Sequence, residues 1–161
     1  MAEDLTLTNG ISKEETYKEI LPQIEALMEG ESDTIANMAN VAAAFKEALG
    51  FFWIGFYLVK GDELVLGPFQ GPVACTRIKK GEGVCGACWQ AGEVIIVSDV
   101  DQFPGHIACS SLSRSEIVLP VKRDQEVIAI FDIDSQQLQD FSRVDEKYLS
   151  RAVQIIEKSV G

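Results

Sequence analysis

The chain has a single histidine, His106, and only 14 lysines and arginines against 25 aspartates and glutamates. The net charge of −11 leaves no basic stripe of the kind that a nucleic acid or an anionic membrane surface requires. Nucleic acid is therefore not expected as a partner. Membrane is not expected either, since no run approaches the roughly 20 apolar residues of a membrane helix. Met1-Ala2-Glu3-Asp4 also lacks the basic-then-apolar order of a secretory signal, so a cytoplasmic location is expected. There is no internal repeat, low-complexity tract or linker. Residues 1–161 read as one domain, long enough to build a core without disulfide or metal staples.

Cysteine is absent from most of the chain and concentrated in one segment. Cys75, Cys85, Cys88 and Cys109 all lie between Val73 and Val121, together with His106. In the cytosol, disulfides are mostly transient and catalytic, which favours redox chemistry or metal binding over stapling. Cys85 is flanked by Gly81, Gly83 and Gly86 at a predicted helix start, where free amides and the helix dipole favour an anion. Cys109 sits among small residues in G-H-I-A-C-S-S, and Cys75 near the end of an extended stretch. One reading is a cycle in which one thiolate attacks, becomes a sulfenic acid and is resolved as a disulfide. A second is a Cys₃His zinc site, with Cys85-x-x-Cys88 and His106-x-x-Cys109 separated by 17 residues. A third is that the cysteines are small buried hydrophobes. A thioredoxin-type pair at Cys85 and Cys88 lacks its context, since Trp89 follows the second cysteine instead of preceding the first. His106 is either a loop histidine bonded to backbone or a thiolate partner.

The rest of the chain reads as scaffold. Ser12 with Glu15 predicts a capped helix carrying Tyr17, Ile20, Leu21, Ile24, Leu27 and Met28, kinked or divided at Pro22. A second helix from about Asp33 to Leu49 turns Ile35, Met38, Ala42 and Phe45 inward and stops at Gly50. Strands are predicted at Phe52 to Val59 and at Glu63 to Gly67, the latter broken by Gly67-Pro68. Further strands follow at Val94 to Ser98, Glu116 to Lys122 and Val127 to Asp134, with a short helix around Ala87 to Ala91. Asp99 to Ser113 is the longest irregular stretch, a length that is usually functional. Ser142 and Asp145 cap a final amphipathic helix. The sum is an α+β fold with a mostly antiparallel sheet.

The strand Val127-Ile128-Ala129-Ile130-Phe131-Asp132-Ile133-Asp134 is unusual. Period 2 puts Asp132 and Asp134 on the same face as Ile128 and Ile130, and Glu116 joins them if its strand pairs as a hairpin. Such acids would repel one another, and one of them would hold its proton. The alternative is that the strand surfaces at Asp132 and both aspartates are solvated. In the first strand, Trp53 and Tyr57 share a face opposite Phe52 and Phe56, either as core or as the wall of a small apolar pocket.

These residues carry a resemblance. W-I-G-F-Y, G-V-C-G, F-P-G-H-I-A-C, S-E-I-V-L-P-V and F-D-I-D-S together resemble the free methionine-(R)-sulfoxide reductases, enzymes made of a single GAF domain. The steps of 10 and 24 residues from Cys75 to Cys85 to Cys109 match that family's three-cysteine pattern. The resemblance implies that Cys109 attacks the sulfoxide sulfur of free methionine sulfoxide. Cys85 or Cys75 would then form the disulfide, with Cys85 the first choice, and thioredoxin would reduce it. It further implies that Glu116, Asp132 and Asp134 bind the substrate ammonium and act on the sulfoxide oxygen, beside a wall of Trp53 and Tyr57. No cofactor or metal is implied, and a homodimer is compatible with the fold. Cys88 departs from the pattern and reads as inert. Competing readings are a GAF domain that senses a small molecule without chemistry and a zinc-stabilised interaction module.

Overall fold

The computed structural model describes residues 4–160. Two helices open the chain, α1 (Lys13–Met28) and α2 (Thr34–Leu49). The hairpin β1 (Trp53–Lys60) and β2 (Glu63–Gln70) follows, then β3 (Arg77–Lys79), α3 (Gly83–Ala91) and β4 (Ile95–Val97). A loop with one 3-10 turn leads to the hairpin β5 (Ser115–Arg123) and β6 (Glu126–Ser135), and α4 (Arg143–Ser159) closes the fold. The six strands form one sheet in the order β3-β2-β1-β6-β5-β4, with every neighbouring pair antiparallel. The α+β expectation is thereby met.

Strand alternation divides the interior in two. Ile54 and Phe56 of β1, Ile117, Leu119 and Val121 of β5, and Ala129, Phe131 and Ile133 of β6 face the layer formed by α1, α2 and α4. Phe56 and Phe131 are register partners, and their rings stack with centroids 4.4 Å apart. Tyr17 of α1 stacks on Tyr148 of α4 and donates its hydroxyl to Asp145 at 2.6 Å, which also receives Lys13 at 2.7 Å. The opposite face carries Trp53, Tyr57, Val118 and Ile130, and is covered by α3 and the loops around it.

Several local expectations change. Helix α1 runs unbroken through Pro22, which is exposed, so the Lys18 carbonyl that loses its partner lies on the exposed side of the helix. Ile35 is 49% exposed and not part of the core, because it stands in the first turn of α2, one residue after its start. Gly67 and Pro68 do not end β2. Two residues of β2 oppose Phe56 alone, so the pair is absorbed as a β-bulge and the strand continues to Gln70. A second bulge at Ile128 turns that side chain toward the helical layer, away from the face that holds Ile130. Phe52, just before β1, packs with the Trp53 side of the sheet instead of opposing it. The turn between β5 and β6 contains only Asp124 and Gln125, both at positive φ (51° and 68°), the geometry of a tight two-residue hairpin.

Candidate active site

Register places the site. Across β1, β6 and β5, Trp53 lies opposite Asp134, which lies opposite Glu116. The next row on the same face is Gly55, Asp132 and Val118, and the one after is Tyr57, Ile130 and Pro120. Two aromatic rings, three carboxylates and a glycine thus share one end of the sheet face. The rings and the carboxylates line a narrow cleft of about 550 Å³, open mouth included, whose other walls are the start of α3, the chain before β3 and the loop before β5. His106, Cys85 and Cys109 also line it, and no lysine or arginine does so among the described residues.

Two of the acids are buried, and the third, Asp134, is partly exposed. Glu116 is 5% and Asp132 6% exposed. Burial pushes Glu116 well above the usual carboxylate range, and the charges of Asp132 and Asp134 add to the shift. Asp134 is raised well above its usual value by burial and then by Asp132. Burial raises Asp132 as well, although the neighbouring Glu116 and Cys85 side chains favour its ionised form. The coherent description is a cluster in which burial and mutual repulsion make all three carboxyls hold protons more tightly than exposed acids do.

The cysteines occupy distinct environments. Cys109 and Cys75 form a disulfide with Cα atoms 5.3 Å apart, linking the loop before β5 to the chain before β3. Cys85 remains free, and the first choice of Cys85 as partner to Cys109 is not the pairing found. Cys85 does stand in the first turn of α3, as expected, but the dipole does not make it a thiolate. Burial and the charges of Asp132, Glu116 and Asp134 push its pKa well above that of an ordinary thiol. Its Sγ and the carboxylate oxygens of Glu116 and Asp132 lie within 4.8 Å of one another. Cys88 is fully buried, donates to the Glu93 carbonyl at 3.2 Å, and is pushed up to about 12, mainly by burial. With Cys109 in a disulfide and Cys88 turned to backbone, the Cys85, Cys88, His106 and Cys109 zinc set is not assembled.

Trp53 and Tyr57 stack with centroids 6.0 Å apart, and Phe69 extends the stack behind Trp53 at 5.3 Å. Both rings also hold the segment that carries Cys75. Trp53 Nε1 donates to the Pro72 carbonyl at 3.0 Å, and the Tyr57 hydroxyl donates to the Cys75 carbonyl at 2.9 Å. Gly55 makes the wall possible. A Cβ there would come within 2.3 Å of Phe69 Cβ and 2.8 Å of Trp53 Cη2. Sequence reasoning passed over Gly55, although a glycine inside a strand flags close approach. It also missed Ser113, whose hydroxyl favours the ionised form of Asp134; Gly83, singled out beside Cys85, takes φ +62° and lies against Ile107 of the Cys109 loop. An isolated serine in a loop carries no comparable signal.

Residues 30–158 match the GAF domain family. The chain is 58% identical to GAF domain-containing protein A of Dictyostelium discoideum, over 98% of this chain and 99% of that one. It is 44% identical to free methionine-R-sulfoxide reductase of Escherichia coli, over 92% of this chain and 90% of that one. Among solved structures, free methionine-R-sulfoxide reductase of Neisseria meningitidis in complex with its substrate superposes with a TM-score of 0.95 at 52% identity, covering 98% of this chain and 95% of that one. With a cleft that combines Cys109, buried acids and an aromatic wall, the chain belongs to the free methionine-R-sulfoxide reductases, an oxidoreductase family built on the GAF fold.

Proposed function

We propose that this protein reduces free methionine (R)-sulfoxide to methionine, with the whole chain acting as one GAF unit. The observation that supports this most is the convergence of Cys109, the disulfide partner of Cys75, with Glu116, Asp132 and Asp134 in one cleft walled by Trp53 and Tyr57. In the reduced enzyme, Cys109 attacks the sulfoxide sulfur. The cluster of Glu116, Asp132 and Asp134 supplies a proton to the departing oxygen, since burial and neighbouring charge make Glu116 and Asp134 hold their protons well above the usual carboxylate range. Oxygen passes to the Cys109 sulfur as a sulfenic acid, and methionine leaves. The Cys75 thiol then displaces that hydroxyl as water, giving the disulfide, and two electrons from thioredoxin restore both thiols. Cys85 is a poor first resolver, because its proton is held by burial and by neighbouring negative charge.

The same acids account for a preference for the free amino acid. The substrate ammonium neutralises carboxylates that have no lysine or arginine beside them in the cleft. A peptide-bound methionine sulfoxide brings no such charge. The protein is read as cytoplasmic, and no helix among the described residues is long and apolar enough to cross a membrane. A homodimer is compatible with this function. The test is thioredoxin-coupled turnover with the free R and S sulfoxides and with the N-acetylated R sulfoxide. The reading requires turnover of the free R form and a loss of at least about 100-fold on acetylation. Equal rates for the free and acetylated substrates would refute it.

A further inference from the structure

The zinc set read from cysteine spacing is not assembled, yet the fold brings a different set of metal-ligating atoms together. Cys85 from the first turn of α3, Glu116 from β5 and Asp132 from β6 present one sulfur and two carboxylate oxygens, all mutually within 4.8 Å. A tetrahedral ion with bonds of about 2.0 to 2.3 Å spans ligand separations of about 3.3 to 3.8 Å, so side-chain shifts of about 1 Å close the set. All three residues are buried, and all three line the cleft. A second observation points to a cation as the ligand. Asp132 is 6% exposed, and its Oδ1 receives no hydrogen bond from any backbone amide, hydroxyl or cationic group among the described residues. A buried carboxylate oxygen without a partner is costly, and a cation in the cleft removes that cost.

We propose that Cys85, Glu116 and Asp132 bind a zinc-class divalent cation that occupies the acid pocket and blocks the substrate ammonium. The donor set selects the ion. A thiolate with two carboxylates suits zinc or cadmium, whereas magnesium and calcium take oxygen ligands and make no use of sulfur. Three protein ligands leave the fourth position open toward the cleft, the geometry of an accessible site and not of a closed structural one. The site also gives Cys85 a task separate from disulfide exchange. Because Cys75 and Cys109 are joined to each other, Cys85 keeps its thiol in the oxidised protein, and the cation site exists in that state. The inhibition rests on the reductase reading; the binding does not.

The experiment uses the full-length protein with the Cys75–Cys109 disulfide closed, which removes those two sulfurs as ligands. Cadmium is titrated while thiolate-to-metal charge-transfer absorption is followed, and zinc affinity is read by competition with a chromophoric chelator. One equivalent is expected per chain. Cys85→Ser abolishes the absorption and weakens zinc by at least about 100-fold, and Glu116→Gln weakens it by at least about 10-fold, since even outer-shell changes cost 10- to 100-fold. Cys88→Ser leaves both signals in place. Free methionine sulfoxide competes with the ion, and with the reduced enzyme zinc raises KM without lowering kcat. Absence of a charge-transfer band, its survival in Cys85→Ser, or its loss in Cys88→Ser overturns the proposal. Binding without competition by methionine sulfoxide overturns the claim that the ion blocks the ammonium position. A protein that binds cadmium through Cys85 yet turns over no sulfoxide would refute the reductase reading and leave the metal site standing.

Discussion

Glu116 holds a proton that an exposed glutamate would release, because water is excluded and two aspartates stand beside it. This has a consequence for stability. A carboxyl whose pKa is higher in the folded state than its ordinary 4.5 binds its proton more tightly when folded. Its contribution is therefore fully present below pH 4.5 and declines as pH rises toward the folded value. The thermal midpoint of Glu116→Gln, which has no proton to lose, should fall less between pH 5 and 8 than that of the wild type in the absence of substrate. Parallel midpoint curves would show that Glu116 is solvated after all. Tyr57 offers a second residue-scale test, since its hydroxyl holds the Cys75 carbonyl. Removing one such bond is worth about 1 kcal/mol, or roughly fivefold in rate. Rapid-quench measurements on Tyr57→Phe should show disulfide formation slowed more than methionine release; equal slowing of both steps would assign the ring to substrate contact alone.

At the scale of elements, β1, β5 and β6 do the positioning, and much of this was readable beforehand. The alternation of Ile130, Asp132 and Asp134 reported the acid face, and the W-I-G-F-Y run reported the aromatic one, because a strand's period of two is simple to project. The bulges were not readable. The one-residue offsets at Gly67-Pro68 and at Ile128 depend on pairing with a partner strand, which no local pattern encodes. The disulfide was hidden for a similar reason. Cys75 and Cys109 are 34 residues apart in sequence, and only the folding of the two loops over α3 decides that Cys109 meets Cys75 and not Cys85. The glycine at the centre of β1 gives this scale its prediction. Gly55→Ala places a methyl against Phe69 and Trp53, which should destabilise the fold by about 1 to 3 kcal/mol and raise KM by displacing the Trp53 ring. A denaturation midpoint equal to that of the wild type would contradict the close packing described here.

For the molecule as a whole, the sheet separates two tasks. Helices α1, α2 and α4 bury one face as core, while the other face, under α3 and two loops, holds the chemistry. The two loops are joined covalently through Cys75 and Cys109, so oxidation state and overall stability are linked. Closing a 34-residue separation stabilises by at most about 4 kcal/mol on chain-entropy grounds, and reduction should lower the thermal midpoint accordingly. A midpoint unmoved by reductant would mean that the loops are fixed by packing alone. The central claim is that Cys109 attacks the substrate and Cys75 resolves it. Its most direct test is to mix reduced protein with free methionine (R)-sulfoxide in the absence of thioredoxin, then to count methionine and map disulfides by mass spectrometry. The account predicts one methionine per chain with a Cys75–Cys109 disulfide in the wild type, methionine with a Cys109 sulfenic acid in Cys75→Ser, and no methionine in Cys109→Ser. Methionine formed by Cys109→Ser would contradict it.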